Sequence, residues 1–335
     1  MEKTPLKLFK KKHQLDTKAL HIPASPALHR LGFGTGIAVY LLNRKGAIKN
    51  SPWAVKKTLK MKMNDKIYSK RLHYEADILR KLSHKNIVGF RAYEQSNDGR
   101  FNLCMEAMTI SLGDLLEKRF EEKLGPLEVN KIYILGLDIS KALNYLHFEQ
   151  LLLHGDMKSF NILIKGDFVI CKLCDFGVSI KIKKDGYIDF DADPKAHYTG
   201  TDLWSAPEVF EEEPELISTK SEIFSFGLVF YECLALCPPH TLEMVAKKSL
   251  DFDNLEEENN KENVNENSNC DEDDEEEEEP LYGSRPIFPS DLKLSEEYND
   301  IMHIFYTCTE DDPDARPDAQ KLENIFNELC VIVLE

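Results

Sequence analysis

Residues 154–163, HGDMKSFNIL, and the tripeptide Asp175-Phe176-Gly177 that follows an apolar run constrain this chain more than anything else in it. The first segment carries Asp156, Lys158 and Asn161 at fixed offsets, and the second adds Asp175. Such a set fits a phosphoryl-transfer site. One carboxylate receives or orients the proton of an attacking hydroxyl, while an amide oxygen and a second carboxylate hold Mg²⁺ between nucleotide phosphates. The donors are oxygens because Mg²⁺ is a hard ion, and ATP brings several negative charges to be neutralised. Asp-Phe-Gly alone occurs by chance. The two segments together, in this order, are far more specific, and the fold must bring both loops to one point.

This order matches the catalytic and metal-binding loops of protein kinases, and that reading requires further parts upstream. Residues 31–39, Leu31-Gly32-Phe33-Gly34-Thr35-Gly36-Ile37-Ala38-Val39, form a glycine-rich turn. Its missing side chains let backbone N–H groups approach phosphate oxygens, and Val39 falls where a valine roofs the adenine. The third glycine comes one residue early, with Ile37 in its place, and a glycine triplet alone fits a hairpin turn equally well. Trp53-Ala54-Val55-Lys56 follows, alternating like a strand, and Lys56 matches the lysine that neutralises the α- and β-phosphates. Lys57 points to the opposite face.

Residues 71–82, RLHYEADILRKL, place Leu72, Ala76, Leu79 and Leu82 at helical spacing. A glutamate on such a helix is ordinarily a solvated side chain. Glu75, lying between the lysine strand and His84-Lys85-Asn86-Ile87-Val88, is instead the expected ion-pair partner of Lys56. Residues 101–108 then read as a strand entering an interlobe hinge, with Met105 as gatekeeper and the backbone of Glu106 and Met108 on the adenine edge. Leu163 and Cys174 complete the expected nucleotide pocket, together with Leu31, Phe33, Thr35 and Ala54.

Residues 200–208, from Gly200 to Glu208, close an activation segment that begins at Asp175 and contains Thr199 and Thr201. Thr201 is expected against Asp156 and Lys158. Lys158 also points to a serine/threonine enzyme, since tyrosine kinases carry Ala or Arg nearby. Glu208 reads as a buried carboxylate in need of a partner, and Arg316 is that partner. Residues 130–147 place Ile132, Leu135, Ile139, Leu143 and Leu146 on one stripe of a long helix that feeds the catalytic loop. The expected fold is α+β and bilobal, spanning 28–330. It has a small antiparallel-sheet N-lobe with one helix (28–105) and a larger helical C-lobe (109–330).

Of the net charge of −17, −15 falls between Asp251 and Glu279, where 16 acidic residues meet one lysine, leaving the remainder near −2. This stretch cannot bury enough apolar surface to offset ordering entropy, so 250–282 is expected to be a disordered acidic insert. It serves either as a solvated spacer or as a docking tail for a basic partner such as a histone tail. Residues 1–27 read as a flexible basic segment with Thr4-Pro5-Leu6-Lys7, a proline-directed site of the cyclin-dependent type, and Ser25-Pro26. The N-terminus is polar and Lys-rich, without a signal peptide. Residues 223–237 are too short to span a bilayer comfortably and read as a buried core helix. The eight scattered cysteines fit a reducing compartment, and Cys171-Lys172-Leu173-Cys174 lacks convincing companions for zinc. The expected location is cytoplasmic and nuclear, with no membrane or direct nucleic-acid partner.

The segments IPASP (22–26), LGFGTG (31–36), SPWAVKK (51–57), LLHGDMKS (152–159) and KGDF (165–168), with the acidic insert before GSRP (283–286), resemble the PDZ-binding kinase family, also called T-LAK cell-originated protein kinases. The resemblance runs from about residue 22 to 325. It implies a Ser/Thr kinase classed with the MAP kinase kinases, using ATP and Mg²⁺ and active in proliferating and mitotic cells. Implied substrates are a MAP kinase of the p38 type and histone H3, and Thr4 matches the family's site for a mitotic cyclin-dependent kinase. The chain ends Val333-Leu334-Glu335, whereas a PDZ ligand requires an apolar last residue, which argues against PDZ binding here.

Three departures from the kinase pattern bear on mechanism. Gly155 replaces the Arg that pairs with a phosphorylated activation loop, so control is expected to rest on Thr4 or on partner binding. Glu222 stands for the aspartate that braces the catalytic loop, and as a longer carboxylate it should reach the same amides. Ile37 makes the phosphate-covering loop less permissive. Two classes therefore stand: an active Ser/Thr kinase, supported by Lys56, Glu75, Asp156, Asn161 and Asp175, and a pseudokinase scaffold that uses the fold and the acidic insert for binding.

Overall fold

Alternation along Trp53–Thr58 sets the architecture of the N-lobe. In the computed structural model this strand lies at the centre of a five-stranded antiparallel sheet. The structure describes residues 29–33, 37–43, 52–59, 66–96, 99–211, 213–246 and 282–332. Thr4, Ser25, the loop tip Gly34-Thr35-Gly36 and the acidic stretch 250–281 lie outside these residues. Strands β1 (His29–Phe33), β2 (Ile37–Leu42), β3 (Trp53–Thr58), β4 (Phe90–Gln95) and β5 (Phe101–Glu106) stand in the order β1-β2-β3-β5-β4. Register places Val39 opposite Lys56, and Ala54 opposite Met105. Helix α1 (Lys66–Leu79) buries Leu72, Ala76 and Leu79. It begins five residues before the apolar periodicity and stops three before its end, because Arg80 and Lys81 form a turn.

The C-lobe opens with the short strand β6 (Ile110–Ser111) and α2 (Leu112–Glu121), whose first turn is capped by the Ser111 hydroxyl accepting from Asp114 N. Helix α3 (Val129–Asn144) runs on through a π-helical turn, Tyr145–Gln150, and stops at Leu151 in the left-handed region. The stripe Ile132, Leu135, Ile139, Leu143 and Leu146 is wholly buried. Gly136 on this helix packs against the Phe326 ring of α6 (Ala319–Ile332), where an added Cβ would sit 2.3 Å from the ring. Short strands β7 (Leu152–Leu153), β8 (Ile162–Lys165), β9 (Ile170–Leu173) and β10 (Ile180–Lys181) frame the loops at 154–161 and 174–179. Beneath them lies α4 (Thr219–Ala235), buried at every position from Ser221 to Ala235, and α5 (Asn299–Cys308) packs on it. Among the described residues no helix is long and apolar enough to cross a membrane.

An apolar interior tolerates charge only where partners satisfy it. Arg316, fully buried, donates from Nη1 and Nη2 to the two carboxylate oxygens of Glu208 at 2.7 and 3.0 Å, and from Nε to Glu310 O at 2.6 Å. Its guanidinium also lies 4.9 Å from the centre of the Phe224 ring. Ser221 Oγ donates to Glu208 Oε1 at 2.6 Å. The pair thus fastens the end of the activation segment to the loop before α6. Replacing Arg316 by Met should strand the Glu208 charge and cost about 3–5 kcal/mol, read as a lowered denaturant midpoint. Glu208→Gln keeps one oxygen for Arg316 Nη1 and the Ser221 hydroxyl but turns an NH2 toward Nη2, so it should lower the midpoint as well.

Candidate active site

Strand alternation turns Lys56 inward, and there its ammonium lies 2.8 Å from Glu75 Oε2 and 2.7 Å from Asp175 Oδ1. Burial alone would lower the Lys56 pKa, but Asp175 and Glu75 outweigh it and hold the group above the ordinary lysine value. The converse applies at Asp175. Its surroundings work to raise the carboxyl, and Lys56 holds it below the usual carboxylate range. Asp175 adopts φ +65°, rare for a residue with a side chain, while Phe176 is fully buried beside the His154 ring. Lys56 thus joins α1 to the Asp175-Phe176-Gly177 loop, which the sequence pairing of Lys56 with Glu75 did not include.

The catalytic loop hangs from α4. Glu222 Oε1 accepts from Gly155 N at 2.9 Å, and Glu222 Oε2 lies 2.7 Å from His147 Nε2. Burial works to raise the Glu222 carboxyl, but His147 overrides it and keeps the group low. The longer carboxylate therefore reaches one loop amide and a histidine from the turn after α3. Gly155 has φ +82°, and a Cβ there would stand 2.5 Å from Val178 O. A side chain at 155 is thus opposed by both the backbone conformation and the activation segment. His154 Nε2 meets Cys174 O at 2.8 Å while its Nδ1 accepts from Asp156 N, which assigns the ring proton to Nε2.

Around Asp156 the expected groups converge. Thr201 Oγ1 donates to Asp156 Oδ1 at 2.7 Å, and Lys158 Nζ lies 2.8 Å from Asp156 Oδ2 and 2.7 Å from Thr201 Oγ1. Asn161 Nδ2 donates to Asp156 O and to Asp156 Oδ2 at 2.7 and 2.9 Å, which leaves its amide oxygen as the group a cation can take. Thr199, half-buried, is outside this hydrogen-bonded set. Leu31, Gly32 and Phe33 form β1, with Gly32 opposite Val39. Ala54 and Met105 are buried, and Val39, Met108, Leu163 and Cys174 are half-buried. Burial pushes the Cys174 thiol well up, so it packs here as a neutral group. The Glu106 side chain is taken by Lys172 at 2.8 Å, so it braces the hinge from β9. A hollow of about 410 Å³ lined by Glu128, Tyr133, Glu297 and Asp300 lies at the far end of α3.

Glu232 has no place in the motif pattern, yet it completes the site's foundation. Buried on α4, it accepts from Ser159 Oγ at 2.6 Å and from Trp204 Nε1 at 2.7 Å, tying the catalytic loop to the activation segment. Its sequence signal was a lone carboxylate within an apolar stretch, which demands donors. Burial pushes its carboxyl from 4.5 up to about 7, partly countered by those two bonds. The folded chain therefore holds this proton more tightly than the unfolded chain, so the Glu232 contribution to stability falls as pH rises from about 4.5 to about 7 and is level above. The stability difference between wild type and the non-ionising Glu232→Gln, taken from denaturant curves across that range, should fall in the same window. A flat difference contradicts the assignment.

Comparison with known proteins agrees with this geometry. Residues 27–325 match the family model described as protein kinase domain. The chain is 40% identical over 327 residues to the human lymphokine-activated killer T-cell-originated protein kinase, covering 95% of this chain and 94% of the relative. It is 30% identical over 242 residues to the probable serine/threonine-protein kinase drkC of Dictyostelium discoideum, covering 71% of this chain and 30% of that one. A third relative, the serine/threonine-protein kinase STY17 of Arabidopsis thaliana, is 31% identical over 160 residues, or 48% of this chain and 25% of the relative. With Lys56 paired to Asp175, Asn161 bonded to Asp156 and the family match running over nearly its whole length, this chain belongs to the protein kinase family.

Proposed function

We propose that this chain transfers the γ-phosphate of ATP to serine and threonine hydroxyls of proteins, with Mg²⁺ as its metal. One observation carries the reading: the Lys56 ammonium is held between Glu75 and Asp175 while Asp156, across the cleft, keeps one carboxylate oxygen against the Thr201 hydroxyl. The Asn161 amide and the Asp175 carboxylate are hard oxygen donors, the chemistry that Mg²⁺ selects. Bound there, the ion neutralises charge on the triphosphate. Lys56 then steadies the α- and β-phosphates, Asp156 accepts the proton of the incoming hydroxyl, and Lys158 offers positive charge where the transferred group carries negative charge. A Ser/Thr enzyme is also in keeping with the Lys158–Thr201 contact. The scaffold alternative drew on the irregular glycine loop, Gly155 and Glu222, and the last two are engaged in holding the catalytic loop.

The resemblance supports finer assignments: a MAP kinase kinase-like enzyme of proliferating cells, acting on a MAP kinase of the p38 type and on histone H3 in cytoplasm and nucleus, with Thr4 as a cyclin-dependent kinase site. Thr4→Ala should then lower activity in mitotic cells, and full mitotic activity of that variant rejects the Thr4 assignment. For the chemistry itself, transfer of labelled γ-phosphate to a Ser/Thr acceptor protein should fall about 10²–10⁴-fold in Asp156→Ala, with Lys56→Met comparably impaired. Equal rates for wild type and Asp156→Ala sink the proposal.

A further inference from the structure

Tyr74 immediately precedes Glu75 on α1, and its hydroxyl donates to the backbone carbonyl of Ser179 at 2.8 Å, across 105 residues of sequence. Ser179 is buried, and its other polar groups are also committed. Its N–H donates to Phe176 O at 3.3 Å and its hydroxyl to His154 O at 3.1 Å. One residue therefore joins the turn after Asp175, the catalytic loop and, through Tyr74, helix α1. The helix also abuts that turn directly, since a Cβ built on Gly177 lies 3.9 Å from Arg71 O.

The Lys56–Glu75 ion pair by itself is a poor register for α1. Both side chains are long, and the pair can persist while the helix turns or slides. A helix advances about 1.5 Å and 100° per residue, so Tyr74 contacts a different neighbour from Glu75. Two contacts at different azimuths fix the rotation that either one alone leaves free. We propose that Tyr74 is a positioning residue that locks α1, through the Ser179 carbonyl, in the setting where Glu75 meets Lys56. Alignment of the lysine then depends on the segment after Gly177 being seated on the catalytic loop. The inference rests on the kinase reading above and concerns how that site is assembled.

Tyr74→Phe removes the hydroxyl and keeps the ring. A single hydrogen bond of this kind is worth roughly a 2- to 10-fold effect. Steady-state transfer to a Ser/Thr acceptor should show kcat/KM for ATP reduced by roughly that factor in Tyr74→Phe, with the melting temperature lowered by no more than about 2–4 °C. Because the latch acts through Glu75, adding Tyr74→Phe to Glu75→Gln should cause no further loss. Faster amide hydrogen exchange across residues 66–79 in Tyr74→Phe is the matching physical readout. Wild-type kcat/KM in Tyr74→Phe, or the same fractional loss in both backgrounds, overturns the latch. Absence of transfer by the wild-type protein would instead overturn the kinase reading.

Discussion

Two carboxylates on a buried helix fix the site. Helix α4 is surrounded by apolar side chains, so Glu222 and Glu232 are tolerable only where donors come to them. Ten residues apart, they stand about 15 Å apart along the helix axis. Glu222 holds Gly155 N, and Glu232 holds the Ser159 hydroxyl. The stretch from Gly155 to Ser159 is thus strung between two points on one rigid element, and Asp156 and Lys158 lie inside it. The desolvation that makes the carboxylates costly also makes their hydrogen bonds strong. A surface helix carrying the same two residues would let water satisfy them, and the loop would lose its anchors.

The same economy explains how the chain manages without an arginine at position 155. In a kinase with that arginine, a phosphate on the activation segment supplies the matching charge. Here Val178 O fills the space and Gly155 takes the left-handed backbone. The segment is seated by other means: Ile180, Ile182 and Ile188 pack with Leu153 and Ile217, and Ile180–Lys181 pairs with Leu152–Leu153. Farther along, Thr219 N donates to Gly186 O, and Tyr187 bridges to Ser218, at the start of α4. Apolar packing and backbone pairing need no added charge, so the segment's order is written into the sequence.

Much of the arrangement was legible in the sequence because kinase chemistry restricts residue type and order together. Lys56, Glu75, Asp156, Lys158, Asn161, Asp175, Thr201 and the Glu208–Arg316 pair could be named from spacing, since each is an ionisable or polar group whose role admits few substitutes. The β-sheet and α3 followed from alternation and from an apolar stripe. The boundaries of α1 did not. Its first turn, Lys66–Lys70, is largely polar, and helices there extend past the apolar pattern without leaving a periodic trace. The π-turn after α3 leaves no mark either, because the residues that form it differ little from those of an α-helix.

The missed site residues share a physical cause. His147, Glu232 and Tyr74 have roles defined by what faces them in space, and their partners Glu222, Ser159, Trp204 and Ser179 lie 75, 73, 28 and 105 residues away in the chain. A motif records spacing along the backbone, and these contacts have none to record. Burial supplies the only sequence clue. A carboxylate inside an apolar run, as at Glu232, or a histidine closing a core helix, as at His147, must be satisfied by something. Tyr74 lacks even that clue, being 37% exposed on a helix whose neighbouring positions are polar. Its hydroxyl reaches a backbone carbonyl, a group every residue carries, so no choice of residue type at position 179 could have announced the contact. Residues that make the chemistry are therefore readable one at a time, whereas those that set its geometry emerge only when the chain is seen folded.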